Sequence, residues 1–490
     1  MADVVLVYPK TGFDILKVSV DLPLSLLAVS NLVSRDYNVK IIDQRVDPHW
    51  EESLKQELKS QPLCVGVTAM TSPQIHFALE AAKIAKEEKG DTTKLVWGGV
   101  HATLMPEQTV QHPLVDIVVV GEGELSFRNL VRTLEKKQNL ADVRGIAFKH
   151  DGRVIKTEPE DFVDLENLPE LPYHLVDVEK YIGSQGRFLG ETTRGLIFIS
   201  SRGCPWRCTY CCNPRLSRRH WRSMSAEKTF ERVAGLFDRF NLDAVAFHDE
   251  EFLINRARAE KIAALIDGKF RWWIQGRMDG LRRVNLAKME KGGLCAVQPG
   301  IESGSERILK LIKKGETVAD MLEANRRLAQ TSIEPLYNLM MGFPTETYDE
   351  LMQSVDLAIQ LLDDNPKAQI SGFYVLVPYP GTEIFDFAME HGFNPPDSLE
   401  KWTVFHRQHL ATPWIQDKLN LLETIMFTSK LIDGTRLERR LRQALGGVPV
   451  PLFPLRYIAN FYRWRWRKHN FNRSLDIKLM HWTRKKFFHW

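Results

Sequence analysis

Cysteine is scarce in this sequence, since a chain of 490 residues contains only six. So few cysteines exclude a disulfide framework, and four of them crowd into one short segment, which favours a metal or redox role in a reducing cytosol. A strong charge imbalance is also lacking, because the formal net charge is +4. This balance gives no reason to expect binding to nucleic acid.

Long hydrophobic runs are missing as well. The apolar run near the amino terminus lies within MADVVLVYPK, where no basic region precedes it and where it is far too short to span a bilayer. Hydrophobic residues make up 44% of the chain and charged residues 26%, as in ordinary globular proteins. We therefore expect a cytoplasmic protein of two or three domains, without internal repeats or low-complexity tracts.

Short apolar runs alternate with helical stretches over the first part of the chain. The predicted strands cover residues 4–8, 39–43, 64–68, 94–97 and 116–120. Strands that alternate with helices predict a doubly wound parallel sheet, which binds ligands beyond the carboxyl ends of its strands. We assign residues 1–140 to this domain and the less regular residues 141–190, which include Pro169 and Pro172, to a linker.

The alternation resumes in residues 191–400. The predicted strands there cover residues 196–200, 244–247, 272–275, 295–300, 335–341 and 372–377. Six strand–helix units suit a partial (β/α)6 barrel, whose chemistry takes place at the carboxyl ends of the strands. Residues 401–490 are predicted to be a helical region, and their last part, 451–490, contains ten Lys or Arg, one acidic residue and eleven aromatic residues. The predicted fold class is therefore α/β.

Cys204, Cys208 and Cys211 follow the first barrel strand with the spacing CxxxCxxC. Three thiolates at this spacing can hold three irons of a 4Fe-4S cluster and leave the fourth iron open to chelate S-adenosylmethionine. The alternative is a zinc knuckle, although zinc takes four ligands and no paired fourth ligand is evident. The neighbouring Cys212 is expected to pack beside the motif, because one loop rarely ligates a metal through adjacent residues.

With this motif, residues 195–390 resemble the radical S-adenosylmethionine superfamily. The resemblance implies contacts to S-adenosylmethionine from Tyr210, Asp249, Glu250, Arg277 and Glu302. Tyr210 would lie near the adenine and Glu302 would bond a ribose hydroxyl. Asp249 or Glu250 would meet the methionine amino group, although the family's usual Gly-Gly-Glu is absent, and Arg277 would pair with the methionine carboxylate. Chemistry alone leaves simpler roles open, namely helix caps for the acids and a surface salt bridge for the arginine.

Residues 1–140 resemble the cobalamin-binding domain that precedes the barrel in one large subgroup of this superfamily. Two glycine-rich turns carry the resemblance, GGVHAT at 98–103 and GEGE at 121–124. It implies cobalamin contacts from Thr68, Thr71, Gly98, Gly99, His101, Gly121, Glu122 and Gly123. The Asp-x-His-x-x-Gly motif of better-known cobalamin proteins is absent after the first strand, so we expect no histidine on cobalt. A vestigial domain without cobalamin is the alternative.

The subgroup's chemistry is of two kinds. One is methylation of an unactivated carbon, in which an adenosyl radical removes a hydrogen atom and the substrate radical takes a methyl group from methylcobalamin. The other is oxidative cyclisation or ring rearrangement, as in the anaerobic cyclase of bacteriochlorophyll synthesis. The resemblance favours methylation as the commoner outcome, and a non-enzymatic cobalamin or cluster sensor remains a further alternative. It assigns no catalytic residue beyond the cofactor ligands.

The expected partners follow from the same considerations. The resemblance implies a reductase such as flavodoxin or ferredoxin, and a small-molecule substrate. The interleaved basic and aromatic residues of 451–490 suit peripheral contact with the inner face of a membrane, which would favour a hydrophobic substrate such as an isoprenoid, lipid or tetrapyrrole. The same segment could instead form a helical lid on the barrel or stack RNA bases, although nothing else suggests nucleic acid.

Overall fold

The computed structural model describes residues 2–12, 20–90, 92–183, 194–405, 412–434, 452–472 and 478. Parts of three predicted segments lie outside these residues, namely residues 184–190 of the linker, residues 406–411 and 435–450 of the helical region, and most of the basic aromatic tail beyond residue 472.

Seven strands form the sheet of the amino-terminal domain. In chain order they are β1 (Val4–Tyr8), β2 (Val39–Asp43), β3 (Cys64–Thr68), β4 (Lys94–Gly98), β5 (Ile117–Val119), β6 (Ile146–His150) and β7 (Arg153–Lys156). The spatial order is β2-β1-β3-β4-β5-β6-β7, and the first five strands pair in parallel. Successive residues of β1 face two separate apolar cores, with Val4 in one and Val5 in the other, so both faces of the sheet are covered. The predicted doubly wound sheet is confirmed.

The hairpin of β6 and β7 was not predicted. It pairs antiparallel with β5 and extends the sheet within residues that we interpreted as linker. The first and last residues of β7 are exposed, so its apolar signal is confined to Val154 and Ile155. Two apolar residues are too few to stand out as a strand in the sequence.

The helices of this domain lie between its strands. They are α1 (Leu24–Val33), α2 (Trp50–Leu58), α3 (Gln74–Lys89), α4 (Gly99–Leu104), α5 (Pro106–Gln111) and α6 (Gly123–Glu135). Two of them, α4 and α6, begin within the glycine-rich turns at 98–103 and 121–124, so both turns lie at the carboxyl edge of the sheet.

The second domain contains the predicted barrel. Its strands are β8 (Gly195–Phe198), β9 (Ser201–Arg202), β10 (Arg222–Ser223), β11 (Ala244–Phe247), β12 (Arg271–Gly276), β13 (Leu294–Glu302), β14 (Glu334–Met341) and β15 (Gln369–Val375). Six of them pair in parallel in the order β8-β11-β12-β13-β14-β15, which confirms the partial (β/α)6 barrel. The short strands β9 and β10 form a separate antiparallel ribbon.

Helices connect these strands on the outside of the barrel. The short helix α7 (Asn213–Leu216) lies instead between β9 and β10. The outer helices are α8 (Ala226–Phe240), α9 (Arg256–Ile266), α10 (Met278–Arg283), α11 (Leu286–Lys291), α12 (Glu306–Leu311), α13 (Val318–Ala329), α14 (Tyr348–Asp364) and α15 (Glu383–Glu390). Side chains show the two faces of the sheet: Trp272 contacts Phe247 in the outer core, while the next residue, Trp273, lies beside His248 on the inner face.

Two further helices follow the barrel, α16 (Leu419–Thr428) and α17 (Leu452–Arg467). The inner face of α17 packs on the barrel: Trp466 is fully buried against Phe373 and donates a hydrogen bond to Thr428 Oγ1 at 2.9 Å. Part of the tail is therefore a packed helix, as the lid interpretation expects. Among the described helices, none combines the length and the apolar character needed to cross a membrane.

Ion pairs join the two domains. Arg202, on the ribbon, lies 2.7 Å from Glu124 and 3.4 Å from Glu122, both at the start of α6. Arg222, on the other ribbon strand, forms a close ion pair with Glu122. The Glu124 side chain is only 2% exposed, so its charge depends on the arginine for compensation.

Replacing Glu124 with Gln should therefore destabilise the protein. Removing one charge from a buried pair leaves the other without its partner. We therefore expect the free energy of unfolding to fall by about 2–4 kcal/mol. The measurement is the urea midpoint of unfolding compared with Glu52→Gln, an exposed control on α2. Equal midpoints for the two variants would contradict the conclusion that the ion pair of Glu124 with Arg202 stabilises the contact between the domains.

Candidate active site

The three predicted ligand cysteines lie on the loop that connects β9 to β10. The ribbon closes this loop at its base, where Arg202 pairs with Arg222 and Ser201 with Ser223. Gly203 enters the loop with φ of 87°, and a β-carbon there would come within 2.2 Å of the His220 carbonyl oxygen. A side chain would therefore force the two ends of the loop apart.

Cys204, Cys208 and Cys211 are free thiols that are neither fully buried nor fully exposed. Burial raises the pKa of Cys211 to about 12, and charge on Cys212, Cys208 and Cys204 also raises this pKa, because the thiols share one space. No three ligand-type side chains in the described ranges come close enough together to hold one metal ion. A 4Fe-4S cluster sets a different requirement, since each thiolate binds its own iron.

Asp249 anchors this loop from the end of β11. Its carboxylate is fully buried and accepts hydrogen bonds from the Ser200 amide at 2.7 Å and from the Ser200 and Ser201 hydroxyls at 2.7 and 2.5 Å. Both carboxylate oxygens therefore bind the chain that leads into the loop. Asp249, which we predicted to contact S-adenosylmethionine, is thus placed against the entrance to the loop. The other predicted acid, Glu250, is exposed toward a cavity and accepts from the Gly203 amide at 3.2 Å.

Arg277 is buried beside the cysteine loop. Its Nη1 lies 4.0 Å from Cys208 Sγ, and its guanidinium stacks over Trp206 at 4.1 Å from the ring centroid. Asp279 accepts from its Nε at 3.0 Å, and the carbonyl oxygen of Lys314 accepts from its Nη2 at 2.6 Å. The arginine is therefore no surface salt bridge, and most of its donors are already used within the protein.

Glu302 links the cysteine loop to the barrel. Its Oε1 accepts from the Tyr210 hydroxyl at 2.8 Å and from Lys314 Nζ at 3.1 Å. The residue ends β13 with φ of 63°, and a β-carbon at Gly300 would come within 2.0 Å of Oε1. Its other oxygen, Oε2, has no hydrogen-bond donor among the described residues, so it remains available to a ligand.

A cavity of about 430 Å³ lies between the two domains. One wall is the carboxyl edge of the first sheet, with Thr68, Gly98, Gly99, Gly121, Glu122 and Gly123, and the opposite wall includes Ile199, Arg202, Gly203, Asn213 and Glu250. A β-carbon at Gly98 or Gly121 would meet no atom within 4 Å, so these glycines leave open space at the cavity wall. Such an open, mostly apolar cleft between domains suits a large planar ligand.

Two predicted cobalamin contacts lie behind this wall. Thr71 Oγ1 and His101 Nδ1 form a buried hydrogen bond of 2.9 Å, and the His101 ring meets Trp402 edge-on at 5.4 Å. Burial lowers the pKa of His101 to about 4, so the ring is neutral. Neither of these two predicted cobalamin contacts lines the cavity. Thr68 and the glycines do line it.

Glu122 lines the cavity, yet its carboxylate is occupied. Arg222 Nη1 donates to Glu122 Oε2 at 3.1 Å, in addition to the close contact at Oε1, and Arg202 approaches the same side chain. The turn at 121–124 therefore forms part of the cavity wall and also carries the carboxylates that pair with arginines of the second domain. Its acidic residues were predicted by resemblance, but their arginine partners were missed, because the sequence does not reveal which charges meet across domains.

The structure adds functional candidates that the sequence analysis missed. Lys314 is buried between Glu302 and Glu316, at 3.1 and 3.5 Å. Inside the barrel, Gln298 Nε2 donates to Asn338 Oδ1 at 3.3 Å. For Gln298 and Asn338 the available signal was their position in the fourth and fifth strands, where barrel enzymes place their working groups. Lys314 follows α12 and carried no such signal.

Comparison with known protein families agrees with this arrangement. Residues 198–358 match the Radical SAM superfamily, and residues 19–131 match the B12 binding domain. A Pyrococcus horikoshii protein called uncharacterized methyltransferase PH0819 is 32% identical over 410 residues, which are 82% of this chain and 86% of the relative. The anaerobic magnesium-protoporphyrin IX monomethyl ester cyclase of Cereibacter sphaeroides is 28% identical over 364 residues, 71% of this chain and 57% of the cyclase.

A solved structure shares the fold. The cobalamin-dependent S-adenosylmethionine radical enzyme OxsB, with aqua-cobalamin and S-adenosylmethionine bound, superposes with a TM-score of 0.75 at 20% identity, covering 99% of this chain and 75% of OxsB. The two matched domains and the identity to PH0819 over most of both chains place this protein. It belongs to the cobalamin-dependent radical S-adenosylmethionine enzymes, which use a 4Fe-4S cluster, S-adenosylmethionine and cobalamin.

Proposed function

We propose that this enzyme methylates an unactivated carbon of a small hydrophobic biosynthetic intermediate. The observation that carries the proposal is the single cavity whose walls are the glycine edge of the first sheet and the entrance to the cysteine loop. When bound, the cluster with S-adenosylmethionine supplies a radical that removes hydrogen, and cobalamin supplies a methyl group. One shared cavity lets both act on the same substrate.

Residues of the loop would hold the cluster. Cys204, Cys208 and Cys211 would be its ligands, and the Arg277 guanidinium lies beside this set, with Nη1 4.0 Å from Cys208 Sγ. Asp249 would keep the loop in place through its three hydrogen bonds to Ser200 and Ser201.

Residues near the loop would orient S-adenosylmethionine. Glu302 Oε2 suits a ribose hydroxyl, while Tyr210 and Lys314 hold Oε1 and so fix the carboxylate. Glu250, which is exposed toward the cavity, suits the methionine amino group. Nε and Nη2 of Arg277 are engaged within the protein, and Nη1, which lies 4.0 Å from Cys208 Sγ, has a second N–H that suits the methionine carboxylate.

The opposite cavity wall would hold cobalamin. Gly98, Gly99 and Gly121 let the backbone approach a flat ring, and the latter two have φ of 89° and 86°, which side chains rarely adopt. Thr68 Oγ1 would lie 2.6 Å from a β-carbon at Gly99, so larger residues are excluded there.

Cyclisation is the second candidate function. It is favoured by the likeness to the Cereibacter sphaeroides cyclase, whereas the name of the Pyrococcus horikoshii relative favours methyl transfer. Two products distinguish them. Methylation should yield S-adenosylhomocysteine together with 5′-deoxyadenosine over many turnovers of the anaerobic enzyme supplied with cobalamin and an isoprenoid, lipid or tetrapyrrole substrate. Formation of 5′-deoxyadenosine alone with a consumed substrate would contradict methylation and support cyclisation.

Substitution of the cysteines tests the ligand assignment. Changing Cys204, Cys208 or Cys211 to Ala should abolish the visible absorption of the reconstituted cluster and all formation of 5′-deoxyadenosine, because each removes one iron ligand. Cys212→Ala is the matched control on the same loop and should keep most of both. A Cys212→Ala protein without a cluster would mean that the ligand assignment is shifted.

The outer face of α17 bears on the substrate. Four of its residues, Tyr457, Ile458, Phe461 and Trp464, are exposed by 40–62%. We infer that this face rests on an anionic membrane surface, because aromatic rings favour the headgroup layer and the surrounding chain is rich in Lys and Arg. Such contact would give the enzyme access to a lipid-soluble substrate.

Flotation with anionic liposomes tests this contact. Full-length protein should float at low salt and lose binding as salt rises, since the basic residues contribute about 1 kcal/mol each near such a surface. The double variant Phe461→Ser and Trp464→Ser should stay at the bottom. The control carries Tyr348→Ser and Met389→Ser, which removes similarly exposed side chains elsewhere. Equal flotation of both variants would overturn membrane docking through α17.

A further inference from the structure

A positively charged groove lies on the surface beside the cysteine loop. Its volume is about 580 Å³, and it is lined by Pro205, Trp206, Arg207, Arg219, Lys310, Lys313 and Gly315. Four of these seven residues are cations and none is acidic. All four cationic side chains are exposed, so the groove presents its charge to the solvent.

Most of this charge is not neutralised by the protein itself. Lys313 forms a close ion pair with Glu383, and Arg219 donates only to the carbonyl oxygen of Pro205, at 3.2 Å. Arg207 and Lys310 have no ion-pair partner within the described residues. Uncompensated cations gathered on one surface attract an acidic partner and accelerate its encounter, even where they add little affinity.

The groove approaches the cysteine loop from a different side than the cavity between the domains. Trp206 lies at the groove and also under Arg277, whose Nη1 is 4.0 Å from Cys208 Sγ. The groove shares no lining residue with the cavity between the domains. A molecule in the groove would therefore come close to the loop without competing with ligands of the cavity.

We propose that this groove is the docking site of an acidic, one-electron carrier protein that reduces the cluster. The inference rests on the cluster assignment of the proposed function. In each encounter one electron leaves the reduced centre of the carrier and enters the oxidised cluster, so that the carrier is oxidised by one electron, the cluster is reduced by one, and no proton moves. Redox encounters bury little surface, less than about 1,200 Å², so a small charged groove is sufficient.

Charge reversal in the groove tests the docking site. The double variant Arg207→Glu and Lys310→Glu changes two side chains that make no ion pair in the described structure. Reduction of its cluster by a reduced acidic ferredoxin, followed by bleaching in a stopped-flow instrument, should be at least about 10-fold slower than in the wild type at low salt. The difference should shrink as salt rises, because salt screens exposed charges.

Three controls separate docking from other effects. The variant Lys55→Glu and Lys59→Glu changes the net charge equally, on α2 and at its carboxyl end, and should react with ferredoxin like the wild type. Photoreduced deazariboflavin, a neutral small reductant, should reduce the cluster of all variants at one rate. The charge-preserving variant Arg207→Lys and Lys310→Arg should restore fast reduction by ferredoxin.

Two outcomes would overturn the docking site. One is equal reduction of the groove variant and the wild type by ferredoxin at low salt. The other is equal binding of oxidised ferredoxin to both proteins by calorimetry, a measurement that needs no cluster. A protein without cluster absorption would instead contradict the proposed function, and the missing absorbance would show this before any mixing.

Discussion

The meeting of four charges at the ribbon sets the geometry of the site. Arg202 and Arg222 flank the base of the cysteine loop, and Glu122 and Glu124 flank the glycine turn at the edge of the first sheet. Because each carboxylate belongs to one domain and each guanidinium to the other, the ion pairs fix the distance between the two walls of the cavity. The loop and the glycine edge can act on one substrate only while this joint holds.

A second buried carboxylate stabilises the cysteine loop from the barrel side. Asp249 accepts three hydrogen bonds from Ser200 and Ser201, and Arg258 donates to the Ser200 hydroxyl at 2.7 Å. Burial raises the pKa of Asp249, while Arg258 and the serines counteract this shift. These contacts hold the strand that leads directly into the ribbon, so the loop is supported on both sides. Groups behind a site can in this way fix the position of the side chains in front of it.

Much of this arrangement could be predicted from the sequence, and the limits have a physical cause. The predicted strands 64–68 and 244–247 coincide with β3 and β11 because buried parallel strands are continuous apolar runs with clear ends. The spacing of Cys204, Cys208 and Cys211 placed the motif on its loop. The direction in which a side chain points was harder to predict, because residues that follow a strand can face either a ligand or the protein core.

Asp249 and His101 show what the sequence could not reveal about side-chain placement. Each lies within a motif that points to a cofactor, yet each is fully buried and bonded to a neighbouring segment. Lys314 was missed for the opposite reason, since the second residue of a Lys-Lys pair after a helix resembles a surface residue. Its burial depends on Glu302 and Glu316, which only the folded barrel brings beside it.

The central claim is that cobalamin binds in the cavity next to the cluster, against the glycine edge. None of the described residues that line this cavity is a histidine. The most direct measurement is electron paramagnetic resonance of the protein loaded with both cofactors, in the cob(II)alamin state with the cluster reduced. We predict a cobalt signal without nitrogen hyperfine splitting from imidazole and broadened by the nearby cluster spin. A signal with imidazole splitting, or one unaffected by reduction of the cluster, would contradict the account.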